Sequence, residues 1–223
     1  MSAVAGSRAR PDGPLRLAVP RGALFGETLD ILDGAGVDTS ALRGDSRSLI
    51  FETEGMTLVT MRPSDVPTYV EAGAADVGIT GKDVLREQGE REIVELYDLG
   101  FGGTTMVFAT EAGPDPAAEA LRRLGVMRVA TKYYRIAARY FEETGRAAEI
   151  VEVKGSVELA PLTGLVEAIV DLTATGTTLR ENGLVIREEI MTSTARLIAN
   201  PVAHKLKSAA IDELTRRMRA TVA

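Results

Sequence analysis

The chain has 223 residues, 45% of them hydrophobic and 26% charged, with a formal net charge of −6, no cysteine and one histidine. That composition is ordinary for a globular protein with a sizeable core, and it excludes disulfides, thiolate chemistry and a multi-histidine metal site within one chain. The acidic balance argues against nonspecific nucleic-acid binding, and no apolar run is long enough for a membrane span or an export signal, so a cytoplasmic protein is expected.

Met1 to Pro14 is small, polar and Pro/Gly-containing, and reads as a disordered tail. Leu15 to Pro20 reads as a strand, followed by Arg21-Gly22-Ala23 and a helix ending near Gly34 or Gly36. Ser48 to Glu52 and Met56 to Met61 form two strands around Glu54-Gly55, and Pro63 to Pro67 opens a helix that stops near Gly73. Asp76 to Ile79 reads as a short buried strand leading into a loop, Thr80-Gly81-Lys82-Asp83, and another helix. Ile93 to Leu99 is strand-like. The glycines at 100, 102 and 103 mark a hinge, after which strands at 105–109, 127–131, 149–153 and 166–171 alternate with helices at 116–124, 133–143 and 157–162. Such alternation predicts parallel α/β sheets with sites at the carboxyl ends of strands. Leu184 to Ala199 is extended and returns to the first domain. From Pro201 onwards, Val202, Leu206, Ala210, Leu214 and Met218 recur at helical spacing. His204 lies in that helical stretch, where a surface or packing role is expected. The expected organisation is therefore a tail over 1–14, domain I over 15–100 plus 184–223, and domain II over 101–183.

The richest stretch is Ile169-Val170-Asp171-Leu172-Thr173-Ala174-Thr175-Gly176-Thr177-Thr178-Leu179. A β-branched run ends in one acid, the chain turns through hydroxyl residues and a glycine, and a helix begins. Such a loop gathers backbone N–H groups and hydroxyls beside the positive end of a helix dipole, and Gly176 admits close approach of an anion. Asp171 beside it could accept from sugar hydroxyls, which suggests a phosphorylated ribose. An ordinary βα turn capped by threonine has the same local pattern.

Basic residues follow successive strands: Arg21, Arg47, Arg62 and Lys82 stand where they could hold a polyphosphate, or could simply be solvated. Gly78-Ile79-Thr80-Gly81-Lys82-Asp83 is not a P-loop, because its glycine spacing differs and Asp83 replaces the magnesium-binding hydroxyl. Asp83 could accept from an adenine amino group or cap its own helix. Glu158, in Gly155-Ser156-Val157-Glu158, could reach a ribose or merely favour a helix start.

Together, Val170-Asp171 before Thr175-Gly176-Thr177-Thr178-Leu179, Gly155 to Pro161 upstream, and Gly78 to Asp83 earlier resemble the ATP phosphoribosyltransferases, which open histidine biosynthesis. The resemblance implies two type II periplasmic-binding-protein-like α/β domains with the active site in the cleft between them. The implied reaction joins N1 of ATP to C1 of phosphoribosyl pyrophosphate and releases pyrophosphate. It also implies the short form, without a regulatory domain, acting as a homodimer and with a histidyl-tRNA-synthetase-like regulatory subunit. Carried onto this chain, Thr173, Ala174, Thr175, Gly176, Thr177 and Thr178 hold phosphoribosyl pyrophosphate with Asp171 and Glu158 on the ribose. Arg47 is then the catalytic contact to pyrophosphate, and Arg21, Arg62, Lys82 and Asp83 hold ATP. Mg2+ is the implied cofactor, held mainly by substrate rather than by protein ligands. Two departures stand out: Ala23 occupies the last position of a Lys-Gly-Arg found in many relatives, and Val170 rather than a second acid precedes Asp171. The competing expectations are a ligand-binding or sensor module on the same fold, and a phosphoribosyltransferase for another base.

Overall fold

The computed structural model describes residues 13–44 and 47–222, so the expected tail lies outside the described residues except for its last two positions. The chain divides into two compact units. The first gathers residues up to Leu85, then Glu90–Gly102 and the chain from Thr194; the second gathers Arg86–Gly89 and Gly103–Ser193.

In the first unit the chain runs β1 (Leu15–Pro20), α1 (Phe25–Gly34), β2 (Ile50–Thr53), β3 (Met56–Met61), α2 (Val66–Glu71), β4 (Val77–Gly81), α3 (Lys82–Gln88) and β5 (Val94–Asp98). In the second it runs β6 (Thr104–Glu111), α4 (Pro116–Leu124), β7 (Met127–Thr131), α5 (Tyr134–Thr144), β8 (Ala148–Glu152), α6 (Leu159–Leu162), β9 (Ala168–Thr173), α7 (Thr177–Glu181) and β10 (Leu184–Ser193). The chain then returns as β11 (Ala195–Ala199), α8 (Pro201–Leu206) and α9 (Ser208–Val222).

The first sheet has the order β2-β3-β1-β4-β11-β5. Strand β1 is parallel to β3 and β4, whereas β2 and β11 run antiparallel to their neighbours. Because side chains alternate across a strand, Leu15, Leu17 and Val19 enter one core with Leu29 and Leu32 of α1 and Leu214 of α9, while Ala18 enters another with Val66 and Val70 of α2. Each fully buried leucine contributes about 2 kcal/mol of transfer free energy, so coverage of both faces fixes β1 as a central strand. Gly78 sits where a Cβ would meet Val66 and Val70 side chains at 2.5 and 2.9 Å, so this glycine allows α2 to lie close on β4.

The second sheet has the order β10-β6-β9-β7-β8, with β8, β7 and β9 parallel and β6 and β10 antiparallel. Phe108 of β6 packs edge-on against Phe141 of α5, with ring centroids 5.9 Å apart, inside a core shared with Met127, Val129 and Val170.

Four expectations are corrected. Both sheets are mixed rather than parallel, because β6, β10 and β11 are sequence-distant strands that reverse direction. The extended run from Leu184 does not return to domain I: β10 pairs with β6 from Leu184↔Glu111 to Ser193↔Thr104, and the return comes at Thr194. Hydrophobic alternation marks a strand but not the sheet it joins. Thr80 and Gly81 are no loop; they are buried strand residues opposite Arg196 and Ala195. The C-terminal stripe is not one helical face, since the helix breaks at Lys207 and leaves Val202, Leu206 and Ala210 exposed. Lys207 instead turns its Nζ to Asp76, 2.8 Å away in a nearly dry pair, and the buried face of α9 is built by Ile211, Leu214 and Met218.

Candidate functional site

In the second unit, β9 is buried through Asp171 and becomes half-exposed at Leu172 and Thr173. The loop that follows closes on itself. Thr173 Oγ1 accepts from the Gly176 N–H at 2.7 Å, and Gly176 adopts φ +70°, a left-handed conformation that a side chain disfavours. The turn leaves Ala174, Thr175, Thr177 and Thr178 exposed, with the Thr175 and Thr177 hydroxyls 2.9 Å apart, while Leu179 is buried as an anchor. The first N–H groups of α7 have no carbonyl one turn earlier within the helix. Hydroxyls and backbone donors at one small turn are what an oxyanion needs.

Arg180, one turn into α7, was not expected from the sequence. Its guanidinium donates to the Thr175 carbonyl at 2.9 Å and to Thr177 Oγ1 at 3.0 Å, so it braces the loop from behind and adds positive charge to it. The signal was a cation four residues after the glycine, which becomes meaningful only once the helix start is placed.

Asp171 is 7% exposed. Its Oδ1 accepts from the Leu172 N–H at 2.8 Å and lies 3.4 Å from Nζ of Lys132, the residue after β7. Burial pushes the Asp171 carboxyl above its usual range; Lys132 opposes that shift and the charge of Glu158 adds to it. The structure thus brings Glu158 within electrostatic reach of Asp171. Glu158 is half-buried at the start of α6 and makes no side-chain cap there, so helix capping does not account for it. Ser156 just before it has φ +29°, the one positive value at a non-glycine residue among those described.

In the first unit, β1, β3 and β4 are parallel and end at one edge. The Arg21 N–H donates to the Met61 carbonyl at 2.7 Å, beside Arg62, and the Arg21 guanidinium donates to Thr60 Oγ1 at 3.0 Å and to the Ser48 carbonyl at 3.4 Å, beside Arg47. These bonds bring the backbones at Arg21, Arg47 and Arg62 to one edge, and all three residues are exposed there. Arg21 has neutral partners and keeps its charge, with its guanidinium 5.7 Å from the Phe25 ring centroid. Lys82 differs: its Nζ is 2.5 Å from Glu95 Oε2, so its charge is already matched. Asp83 folds back over Gly81, where a Cβ would collide with its Oδ1. His204 of α8 pairs at 3.7 Å with Asp212.

Residues 62–220 match the HisG family model, described as ATP phosphoribosyltransferase. The ATP phosphoribosyltransferase of Rubrobacter xylanophilus is 56% identical over 88% of this chain and 91% of its own. Among solved structures, a chain of the ATP phosphoribosyl transferase (HisG:HisZ) complex from Thermotoga maritima superposes with a TM-score of 0.79 at 34% identity, covering 93% of this chain and 98% of that one. The periplasmic aliphatic sulphonate binding protein SsuA of Escherichia coli, 14% identical with a TM-score of 0.59 over 95% of this chain and 73% of its own, shares the fold alone. The two units are thus type II periplasmic-binding-protein-like α/β domains.

Proposed function

This chain belongs to the ATP phosphoribosyltransferase family, and from that premise we propose how its residues divide the work of joining N1 of ATP to C1 of phosphoribosyl pyrophosphate. The observation that carries the reading is the loop after Asp171: a buried carboxylate, a left-handed glycine, and two threonine hydroxyls in contact. The donors from Thr173 to Thr178 take the 5′-phosphate, Thr175 and Thr177 through their hydroxyls and Gly176 by letting the anion reach the backbone. Asp171 and Glu158 accept from the ribose hydroxyls. These contacts orient C1 for attack.

N1 of adenine is a neutral, unprotonated ring nitrogen, so the step needs no strong base. What must be stabilised is charge growing on the departing pyrophosphate, and Arg47 is assigned that role. Arg21 and Arg62 hold the ATP phosphates, supported by their unneutralised charge at one sheet edge; Asp83 meets the adenine amino group. Lys82 is the weakest of the ATP contacts, because it would have to leave Glu95. Ala23 supplies no charge, which places that demand on Arg21.

The donor set of the loop is hydroxyl and N–H rather than carboxylate. Among the described residues, no three or more His, Asp or Glu side chains gather to hold an ion. That chemistry suits Mg2+ arriving on substrate oxygens, where it would neutralise pyrophosphate charge.

The likeness to a chain of a HisG:HisZ complex supports a hetero-oligomer of the short form with a histidyl-tRNA-synthetase-like regulatory subunit. We assign the chain to a homodimer in the cytoplasm. Among the described residues no helix is long and apolar enough to cross a membrane. Mass in solution with and without the regulatory subunit tests the assembly, and histidine inhibition that appears only with the subunit present is the expected result. Tight inhibition of the isolated chain would overturn the separate-subunit reading. The reaction assignment is tested by incubating the chain with ATP, phosphoribosyl pyrophosphate and Mg2+. Phosphoribosyl-ATP is expected, and transfer to a different base would overturn it.

A further inference from the structure

We propose that Lys132 is a positioning residue of the phosphoribosyl site: its ammonium keeps Asp171 ionised and fixed as the acceptor for the ribose hydroxyls. The inference rests on the reading of the Asp171 loop as the site of phosphoribosyl pyrophosphate. Nothing in the sequence joins the two residues; the sheet does. Strands β7 and β9 are parallel neighbours with Thr131 opposite Val170, so the next residue of each strand, Lys132 and Asp171, lie side by side at the carboxyl edge.

The pair is unequal. The Asp171 side chain is 10% exposed, whereas that of Lys132 is 43% exposed with its ammonium 5.0 Å from the Tyr133 ring centroid. A buried carboxylate is costly to keep charged, and the other groups facing Asp171 do not suffice. From the segment before α6 comes the charge of Glu158, which repels; from β9 itself comes the single N–H of Leu172; and β6, on the other side, brings Val107 opposite it, an apolar residue. Lys132 is the cation in the set. Both contacts recorded for Asp171 fall on Oδ1, and Oδ2 carries neither of them. A carboxylate can accept from two hydroxyls of a ribose, whereas a protonated acid would spend one oxygen as a donor. The gap of 3.4 Å is looser than a charge-assisted hydrogen bond, so Lys132 acts on Asp171 through its field more than through a rigid link.

The test uses Lys132→Met and Lys132→Arg in the full chain. Binding of phosphoribosyl pyrophosphate and kcat/KM are followed from about pH 5.5 to about pH 9, and the carboxyl carbon of Asp171, assigned by its loss in Asp171→Asn, is titrated by NMR without substrate. Removing an opposite charge at this range shifts a carboxyl by about one pH unit or more, so the ratio of K132M to wild type in kcat/KM should fall roughly tenfold between about pH 8.5 and about pH 6. K132R should follow the wild type, and the Asp171 signal should titrate at higher pH in K132M. A loss that is the same at every pH, or an unmoved Asp171 titration in folded K132M, would overturn the proposal. If the NMR shift appears but the wild-type chain binds no phosphoribosyl pyrophosphate, the site reading itself falls, and the positioning role falls with it.

Discussion

Arg180 and Thr175 are joined across the turn at the start of α7, where the guanidinium donates to the Thr175 carbonyl at 2.9 Å while also holding Thr177 Oγ1. A loop of small hydroxyl residues has little packing of its own, so one cation reaching back from the helix sets its shape and its charge. Arg180→Ala should therefore weaken phosphoribosyl pyrophosphate binding by roughly tenfold, the scale of a lost charged hydrogen bond, with the fold intact. Calorimetric titration checks this; unchanged affinity would mean that the loop holds its shape without Arg180.

Gly176→Val should weaken the same substrate in a chain that still folds. At φ +70° a side chain costs about 1–2 kcal/mol, and a Cβ there would stand 3.0 Å from the Arg180 guanidinium and 3.5 Å from Ile186 Cδ1. The β-branched side chain would intrude where the anion approaches the backbone. Normal affinity in the folded variant would remove the loop from the phosphate site.

Arg47→Ala should lower kcat more than it raises KM, because an interaction with charge that develops on departing pyrophosphate is lost in the transition state rather than in the ground state. Steady-state kinetics decide it. A higher KM with normal kcat would make Arg47 a uniform binding contact.

Much of this architecture was legible. Helix 116–124 and strand 127–131 carry their own punctuation, with Asp115 accepting from Ala117 and Ala118 N–H groups and Gly125 closing at φ +74°. The turn from Asp171 to Thr178 was legible for the same reason, since acid, hydroxyls and glycine are local signals. Lys132 and Arg180 were not, because the first reaches Asp171 only through strand register and the second reaches Thr175 only through helical phase. The boundary placed at 184 instead of 194 and the false stripe from Val202 to Met218 share one cause: periodicity describes an element, while its partner is chosen by the rest of the chain. Gly78, suggestive in a phosphate-like motif, is explained by the packing of α2 on β4.

That packing gives a stability prediction. Gly78→Ala would place a methyl group against Val66, Val70 and, at 3.3 Å, Ala18, all of them buried, so overpacking should destabilise the chain by about 1–3 kcal/mol. Denaturant unfolding measures it, and wild-type stability would show that α2 can withdraw without cost.

Tyr140 supplies a pH signature in the second unit. Burial and its hydrogen bond to Glu188, 2.6 Å away, push the phenol up to about 12 against the opposing pull of Arg146. Because the folded chain favours the neutral phenol, its contribution to stability is full below the ordinary tyrosine value of about 10 and is lost as pH rises toward about 12. Absorbance titration of the five tyrosines should show a late phase that Tyr140→Phe removes. Persistence of that phase in the variant would contradict the assignment.

The central claim is tested most directly by following the transferred ribose. The chain, with and without its proposed regulatory subunit, is mixed with ATP, Mg2+ and phosphoribosyl pyrophosphate labelled at C1 with 13C, and the product is read by NMR and mass spectrometry. The account predicts a new bond from the labelled carbon to N1 of adenine, one pyrophosphate released per bond, and strong loss of that product in Asp171→Asn. Absence of the N1-linked product under both conditions, or its undiminished formation by D171N, would contradict it.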